Sequence, residues 1–281
     1  MRIALAYNPR MAAHRLGPVA ALARALEARG DTVSHHDSLT FDCARDAPDA
    51  DLLCIGGGDG TVRMVVGRQG DTAALPPIAV FPVGTINLVA RELGYPKSPQ
   101  AFIARIAQDR AIRSPLAELN GEPFVACLSV GVDALAVASL SEGLKARIGR
   151  FAYVEAMTRL LVKWPLHRLT VRTSEDEFEA EALFVLRGKF YAGPWTLHPG
   201  AHLGHEALRV LALPRARRRD VISLAGRALG GMRAPHPGWR YLETNWIEVT
   251  SNQPVPVQAD GDSVGLLPAR IEMSGKSVRF R

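Results

Sequence analysis

Residues 52–61 read Leu52-Leu53-Cys54-Ile55-Gly56-Gly57-Gly58-Asp59-Gly60-Thr61, a short apolar run followed by four glycines, an acid and a hydroxyl. Such a run predicts a buried strand, and the segment from Val62 onward can continue as a helix. Glycine has no Cβ, so the loop backbone can adopt positive φ angles and approach a ligand closely. Successive amide N–H groups at a helix start attract an anion. The loop therefore predicts a phosphate site, although a glycine cluster alone also suits an ordinary tight connection.

A second loop of similar character follows the next apolar run, Ile78-Ala79-Val80-Phe81. It reads Pro82-Val83-Gly84-Thr85-Ile86-Asn87 and precedes a helix-like segment. In an open parallel sheet both loops emerge at the carboxyl ends of strands, where ligands bind. Thr85 and Asn87 are therefore predicted to hydrogen-bond the sugar, base or phosphate of a nucleotide. Asn87 also suits a helix N-cap, and the two roles are compatible.

Composition limits the class of protein. The chain has 281 residues, of which 47% are hydrophobic, and a formal net charge of +6, so it predicts one large or two medium domains with an ample core. The charge favours anionic partners: a nucleotide, nucleic acid or an anionic membrane surface. The three cysteines are far apart and show no metal-binding spacing, which is typical of a reducing cytoplasm. Without a secretory pattern or a membrane-length apolar run, we expect a cytoplasmic protein, or one attached peripherally at the inner membrane surface.

The pattern of elements changes along the chain. Residues 1–111 alternate predicted strands and helices, which indicates an α/β domain with a parallel sheet. The first helix is predicted from Pro18 to Arg29, because proline suits a first turn. Residues 112–281 predict an antiparallel, β-rich domain with one helix at about residues 144–162, and the last strand is a candidate to return to the first domain. An interdomain cleft is the expected ligand site.

A late motif, Asp260-Gly261-Asp262, follows the predicted strand that ends near Gln258. Asp-Gly is a strong turn signal, so taken alone the motif favours a hairpin tip. Two carboxylates separated by one glycine at a strand end also offer a general base.

In this order the motifs resemble those of the diacylglycerol kinase catalytic-domain family, bacterial lipid kinases related to sphingosine and ceramide kinases and more distantly to NAD kinases. Residues 57–61 match the nucleotide loop of that family, and residues 82–87 match its second loop. Asp260-Gly261-Asp262 stands where the family has Asp-Gly-Glu. The resemblance covers nearly the whole chain.

The resemblance implies an ATP- and Mg²⁺-dependent kinase of phospholipid metabolism, whose substrate is diacylglycerol or a similar lipid with a free hydroxyl. Asp262 would accept the proton of that hydroxyl and Asp260 would support it, while Asp59 would act near the phosphates or their magnesium. No residues are assigned as magnesium ligands. The nucleotide would be held by Asn8, Gly57, Gly58, Asp59, Gly60, Thr61, Gly84, Thr85 and Asn87.

The chain also departs from the family pattern. Arg63-Met64 stand in place of Asn-Glu, Leu88 in place of a frequent Asp, and Gly204-His205-Glu206 in place of Asp-Asp-Gly. Asp262 is one carbon shorter than the Glu of the family, a loss of about 1.5 Å in reach, and a misplacement of roughly 1 Å can reduce a rate about 100-fold. One alternative is therefore a catalytically degenerate relative that binds nucleotide or lipid in a regulatory role. Another is a small-molecule kinase closer to NAD kinases, which share the first loop.

Two basic clusters have a structural and a functional interpretation. Three histidines near residue 200 are more typical of a surface loop than of a metal site. Four arginines before Asp220 suit either a solvated face or anionic phospholipid headgroups. Nucleic acid is not predicted, because aromatic residues are not interleaved with the charges and no binding motif is present. The clusters are His198, His202 and His205, and Arg215, Arg217, Arg218 and Arg219.

Overall fold

A computed structural model describes residues 1–108, 110–139, 164, 167–232 and 234–281. The predicted helix at about residues 144–162 lies outside the described residues. The chain forms two compact units, one comprising residues 1–116 with 275–281 and the other residues 117–274. No helix in the described ranges is long and apolar enough to cross a membrane.

Unit 1 is an α/β unit with a parallel sheet in the order β2-β1-β3-β4, as the sequence predicts. Its strands are β1 (Arg2–Tyr7), β2 (Thr32–Asp37), β3 (Leu52–Gly57) and β4 (Ile78–Pro82). The apolar cores of β1, β3 and β4 are fully buried, as expected for strands covered on both faces. The helices are α1 (Ala13–Ala28), α2 (Cys43–Asp46), α3 (Asp59–Gly67), α4 (Leu88–Glu92) and α5 (Pro99–Ile106).

Helix α1 begins earlier than the sequence predicts. It starts at Ala13, so Pro18 lies inside the helix rather than in its first turn. Proline removes one backbone hydrogen bond there. The acceptor that loses this bond belongs to His14, an exposed residue, so water can satisfy it. Val19, Leu22 and Leu26 form the buried stripe that holds the helix on the sheet.

Unit 2 is an antiparallel β sandwich, which confirms the predicted β-rich second part. One sheet has the order β12 (Arg240–Thr244), β11 (Leu208–Leu213), β10 (Ala182–Leu186), β7 (Cys127–Val130), β14 (Pro256–Ala259) and β15 (Asp262–Leu266). An antiparallel series is formed by β9 (Glu177–Ala180), β8 (Leu169–Arg172), β13 (Trp246–Thr250) and the start of β16 (Ala269–Phe280). Strands from both share one apolar core, which includes Leu128, Val185, Val210, Val171 and Ile247.

The remaining elements are β5 (Ile112–Leu119), β6 (Glu122–Phe124), α6 (Val132–Ala138) and α7 (Arg218–Leu229). The last strand contributes to both units, because residues 275–281 belong to unit 1. There Phe280 pairs in parallel with Ile78 of β4.

Candidate functional site

The first glycine loop connects β3 to α3. Gly56 and Gly57 still belong to the strand, and α3 begins at Asp59. None of the loop glycines has a positive φ, so the loop does not use the left-handed conformation that glycine permits. The reason for glycine is space, because a Cβ built on Gly57 would lie 2.5 Å from the Cβ of Thr61. The loop is therefore a close-packed cradle.

The second loop packs directly against the first. A Cβ built on Gly84 would lie 2.5 Å from the Cα of Gly58 and 2.6 Å from the Oδ1 of Asn87. Real Cβ atoms do not tolerate such distances, so the contact between the two loops requires glycine at position 84. The structure thus brings together the two loops that the sequence predicts to share one sheet edge.

Asp59 links the two loops by hydrogen bonds. Its carboxylate is buried, and it accepts the backbone N–H of Leu88 at 2.8 Å and that of Val89 at 2.9 Å. These are the first residues of α4, so Asp59 caps that helix from outside it. The geometry gives Asp59 a positioning role. Its action near phosphates or magnesium stays a prediction.

Asn87 occupies the N-cap position of α4 in a left-handed conformation, with φ of 58°, but its side chain makes no capping bond. Its Nδ2 donates to the carbonyl of Gly84 at 2.9 Å. Its Oδ1 is buried and has no hydrogen-bond partner among the described residues. Buried polar atoms are rarely left unsatisfied. An acceptor in this position fits a hydroxyl or amino donor, such as a ribose hydroxyl or an adenine amino group.

Arg15 is a residue of this region that sequence reasoning missed. Its Nη2 donates to the Thr85 Oγ1 at 3.2 Å, which brings a cation to the exposed tip of the second loop. Arg15 lies in the part of α1 that precedes Pro18, so no local pattern marked it. Asn8 closes its own turn after β1, because its Oδ1 accepts the N–H of Arg10 at 2.8 Å.

In unit 2, the motif at residues 260–262 is the turn between β14 and β15. Asp260 and Gly261 have φ angles of 51° and 85°, as a two-residue type I′ hairpin turn requires. The buried Asp260 carboxylate accepts the N–H groups of Val125 at 2.9 Å, Ala126 at 2.8 Å and Cys127 at 3.1 Å. This engagement favours a supporting role for Asp260 over a proton-accepting one. Asp262 begins β15 opposite Ala259 and is only half-buried.

A buried polar chain supports the same turn from behind. The N–H of Gly261 donates to the Gln258 Oε1 at 2.7 Å, and the Gln258 Nε2 donates to the Ser129 Oγ at 3.1 Å. The Ser129 and Tyr191 hydroxyls both donate to the Oδ2 of Asp133. Chains of satisfied buried hydrogen bonds make local structure rigid. These residues hold the backbone that carries Asp262.

We expect Asp260→Ala to lower the free energy of unfolding by about 3 kcal/mol, because three buried amides lose their acceptor and each unsatisfied group costs about 1–3 kcal/mol. Urea unfolding followed by circular dichroism measures the change. Asp262→Ala, two positions away and half-buried, is the matched control and should cost less than about 1 kcal/mol. Equal stability of the two variants would contradict the anchoring role.

The chain matches two known domain families, one in each half of the sequence. Residues 7–119 match the family described as "Diacylglycerol kinase catalytic domain", and residues 126–280 match "YegS C-terminal NAD kinase beta sandwich-like domain". The chain belongs to this family of lipid kinases. The two matches cover the glycine loops, the Asp262 turn and the last strand.

Relatives of this lipid kinase family are found in several bacteria. A protein of Pseudomonas aeruginosa named "Probable lipid kinase YegS-like" is 30% identical over 81% of this chain and 75% of its own length. The "Diacylglycerol kinase" of Staphylococcus carnosus is 25% identical over 79% of this chain and 73% of its own length. A crystal structure of a putative diacylglycerol kinase from Bacillus anthracis aligns with a TM-score of 0.74 at 17% identity, covering 100% of this chain and 95% of that one, and shows a shared fold.

The loop where the lipid kinase pattern has Asp-Asp-Gly is organised around an arginine here. Arg187 is fully buried, and its Nη1 and Nη2 donate to the carbonyls of Ala207 at 2.7 Å and His205 at 2.5 Å. Within the described ranges, no group of three or more His, Cys, Asp or Glu residues is placed to hold a metal ion. His198, His202 and His205 therefore do not assemble a metal site. A guanidinium occupies the interior of this loop.

Burial, and to a smaller extent the nearby positive charge of Arg209, lower the pKa of His198 in this loop to about 4. In the unfolded chain His198 binds a proton near pH 6.5, whereas in the folded chain it binds one only near pH 4. The folded state therefore loses stability as the pH falls from 6.5 to 4. We expect the free energy of unfolding to fall by about 2 kcal/mol over this pH range. This is less than a fully buried ring would lose, since such a ring loses roughly 1.4 kcal/mol for each unit by which its pKa is lowered. Urea unfolding at several pH values measures how steeply the free energy of unfolding depends on pH. The dependence should be weaker for His198→Asn than for wild type, and unchanged for His14→Asn, which replaces an exposed ring.

Proposed function

We propose that this lipid kinase family member transfers the γ-phosphate of ATP to the hydroxyl of diacylglycerol or a similar long-chain lipid alcohol. The observation that supports this most strongly is the backbone contact between Gly58 and Gly84, with the buried, unsatisfied Oδ1 of Asn87 beside it. Two bare loops at the carboxyl ends of adjacent parallel strands suit a nucleotide phosphate chain.

In this proposal unit 1 holds the nucleotide. The first-turn amides of α3 and the glycine backbones contact the phosphates, and the Asn87 Oδ1 accepts a hydrogen bond from the sugar or base. Arg15 adds a positive charge at Thr85. Asp59 fixes the two loops relative to each other. These groups position the phosphoryl donor and neutralise its charge, which is most of what phosphoryl transfer needs.

Magnesium supplies charge neutralisation at the phosphates when it is bound. Magnesium in kinase sites is commonly held by one or two carboxylates, substrate phosphates and water. Because the described ranges contain no cluster of three metal-ligating side chains, we assign no protein cage to the ion. The ion instead arrives with the nucleotide, held mainly by the nucleotide phosphates and water.

In unit 2, Asp262 is proposed as the general base that takes the proton of the lipid hydroxyl during attack on phosphorus. A half-buried carboxylate on a rigid turn suits that role, because a base must be held within hydrogen-bond reach of the proton. Asp260, Gln258 and the polar chain behind them act as positioning residues. None of them needs to exchange a proton.

The test is a transfer assay with purified protein, γ-labelled ATP, Mg²⁺ and separate acceptors: diacylglycerol, monoacylglycerol, sphingosine and NAD. We expect label in an organic-extractable lipid phosphate. Nucleotide binding without transfer to any acceptor would favour the degenerate, regulatory relative. Label in NADP would favour the small-molecule kinase.

A further inference from the structure

Helix α7 of unit 2 exposes two large aliphatic side chains. It buries Leu224 and Ala228 against the unit, yet Ile222 is 66% exposed and Leu229 is 67% exposed. They are the two most exposed large hydrophobic residues in the described part of the chain. Seven residues span about two helical turns, so both side chains lie on the same side of α7.

Exposed arginines lie at both ends of this helix. Arg215, Arg217, Arg218 and Arg219 are all exposed at the start of the helix, and Arg227 is exposed in its last turn. At about 100° per residue, Arg218, Ile222 and Leu229 fall within about 40° of one another. Asp220 is the one acid in the sequence from residue 214 to 229, and it is half-buried, accepting the N–H of Arg217 at 3.1 Å. The outward face is therefore cationic and apolar together.

A tryptophan adjoins the same helix start. The Trp164 indole N–H donates to the carbonyl of Ala216 at 2.6 Å, and the Arg218 guanidinium lies 6.0 Å from its ring centroid. Tryptophan and arginine side by side are typical of protein surfaces at the water–lipid boundary.

We propose that the surface formed by the exposed side of α7 and the segment just before it, comprising Arg215, Arg217, Arg218, Arg219, Ile222 and Leu229, docks on an anionic phospholipid surface. The aliphatic side chains enter between the headgroups, and the arginines contact lipid phosphates. A merely solvated face explains the arginines but not the aligned isoleucine and leucine. Binding of nucleic acid at this surface does not explain the isoleucine and leucine either, because neither side chain stacks on a base. The inference rests on the proposed function for its purpose, because a membrane-borne acceptor requires such a surface.

The experiment measures partition of the full chain onto sedimented vesicles of phosphatidylcholine, alone or with roughly 30 mol% of the anionic lipid phosphatidylglycerol. One variant carries Arg215→Gln, Arg217→Gln and Arg219→Gln, and leaves Arg218 on Trp164. A second carries Ile222→Ser and Leu229→Ser. The matched controls remove the same number of arginines or of exposed aliphatic side chains elsewhere: Arg24→Gln with Arg68→Gln and Arg110→Gln, and Ile112→Ser with Leu266→Ser.

We expect wild-type protein to bind the anionic vesicles and to leave them in high salt. Each arginine near an anionic membrane surface increases the partition coefficient about five-fold. Because the arginine variant lacks three of them, it should bind roughly 100-fold more weakly. The aliphatic variant should lose at least about ten-fold, and both controls should bind like wild type. Wild-type failure to bind, equal loss in the controls, or an aliphatic variant that binds like wild type would each overturn the proposal. The last result would indicate a charge-only polyanion site.

A parallel assay separates this inference from the proposed function. Short-chain diacylglycerol dispersed in water should be phosphorylated equally by wild type and both α7 variants, whereas diacylglycerol embedded in anionic vesicles should be phosphorylated more slowly by the variants. If wild-type protein phosphorylates neither form of diacylglycerol, the proposed kinase function is rejected. The vesicle-binding experiment then tests the membrane-docking surface independently.

Discussion

The Asp262→Asn variant is expected to phosphorylate its lipid acceptor about 1,000-fold more slowly than wild type while binding ATP with unchanged affinity. Removal of a general base typically costs about 100- to 10,000-fold. Asparagine keeps the size and the strand position of the residue but does not accept the hydroxyl proton. Initial rates with labelled ATP give kcat, and equilibrium dialysis gives the ATP dissociation constant.

Asp262→Glu is the informative companion of this variant. It restores the acid that the family carries and extends the carboxylate by about 1.5 Å. We expect it to retain at least wild-type activity. If Asp262→Asn is as active as wild type, or if ATP affinity falls in step with kcat, Asp262 is not the proton acceptor.

Gly84→Ala is expected to weaken ATP binding at least 100-fold. The added methyl group would lie 2.5 Å from the Gly58 Cα and 2.6 Å from the Asn87 Oδ1, and the former is backbone that has no side-chain rotation with which to escape. The two loops must separate, and displacement of a phosphate cradle by roughly 1 Å removes its aligned contacts. Isothermal titration with a non-hydrolysable ATP analogue measures the loss.

Gly70→Ala is the matched control, because a Cβ at that position would meet no atom within 4 Å. It should bind the analogue like wild type. A thermal unfolding scan shows whether Gly84→Ala remains folded. A folded Gly84→Ala protein with wild-type affinity would show that the contact between the loops does not form the nucleotide site.

The sequence predicts the two loops and the turn because their signals are local. Each glycine loop follows an apolar run, and Asp260-Gly261 is a two-residue turn motif. Local patterns also explain why the parallel sheet of unit 1 and the antiparallel strands of unit 2 were predictable. The boundary between β9 and β10 has no such local signal, because the single residue between them, Glu181, is not a turn former.

Long-range hydrogen bonds explain what the sequence did not predict. Asp59 bonds a helix start about 30 residues away, and Asp260 bonds amides about 135 residues away. Neither partner is marked by its own residue type, because each donor is a backbone N–H. The buried guanidinium of Arg187 is likewise defined by the carbonyls around it. The reason for glycine at position 84 is close packing, which depends on a neighbour from another loop.

The return of the last strand has a consequence for biosynthesis. Ile78 in β4 finds its partner Phe280 only when the ribosome has translated the roughly 160 residues of unit 2 that separate the two parts of unit 1. At about 5–20 residues per second, this takes roughly 8–30 seconds. During that interval the nascent unit 1 exposes an unpaired strand edge, which is a template for aggregation. Ribosome-associated chaperones are therefore expected to engage this protein until its last described strand has been synthesised.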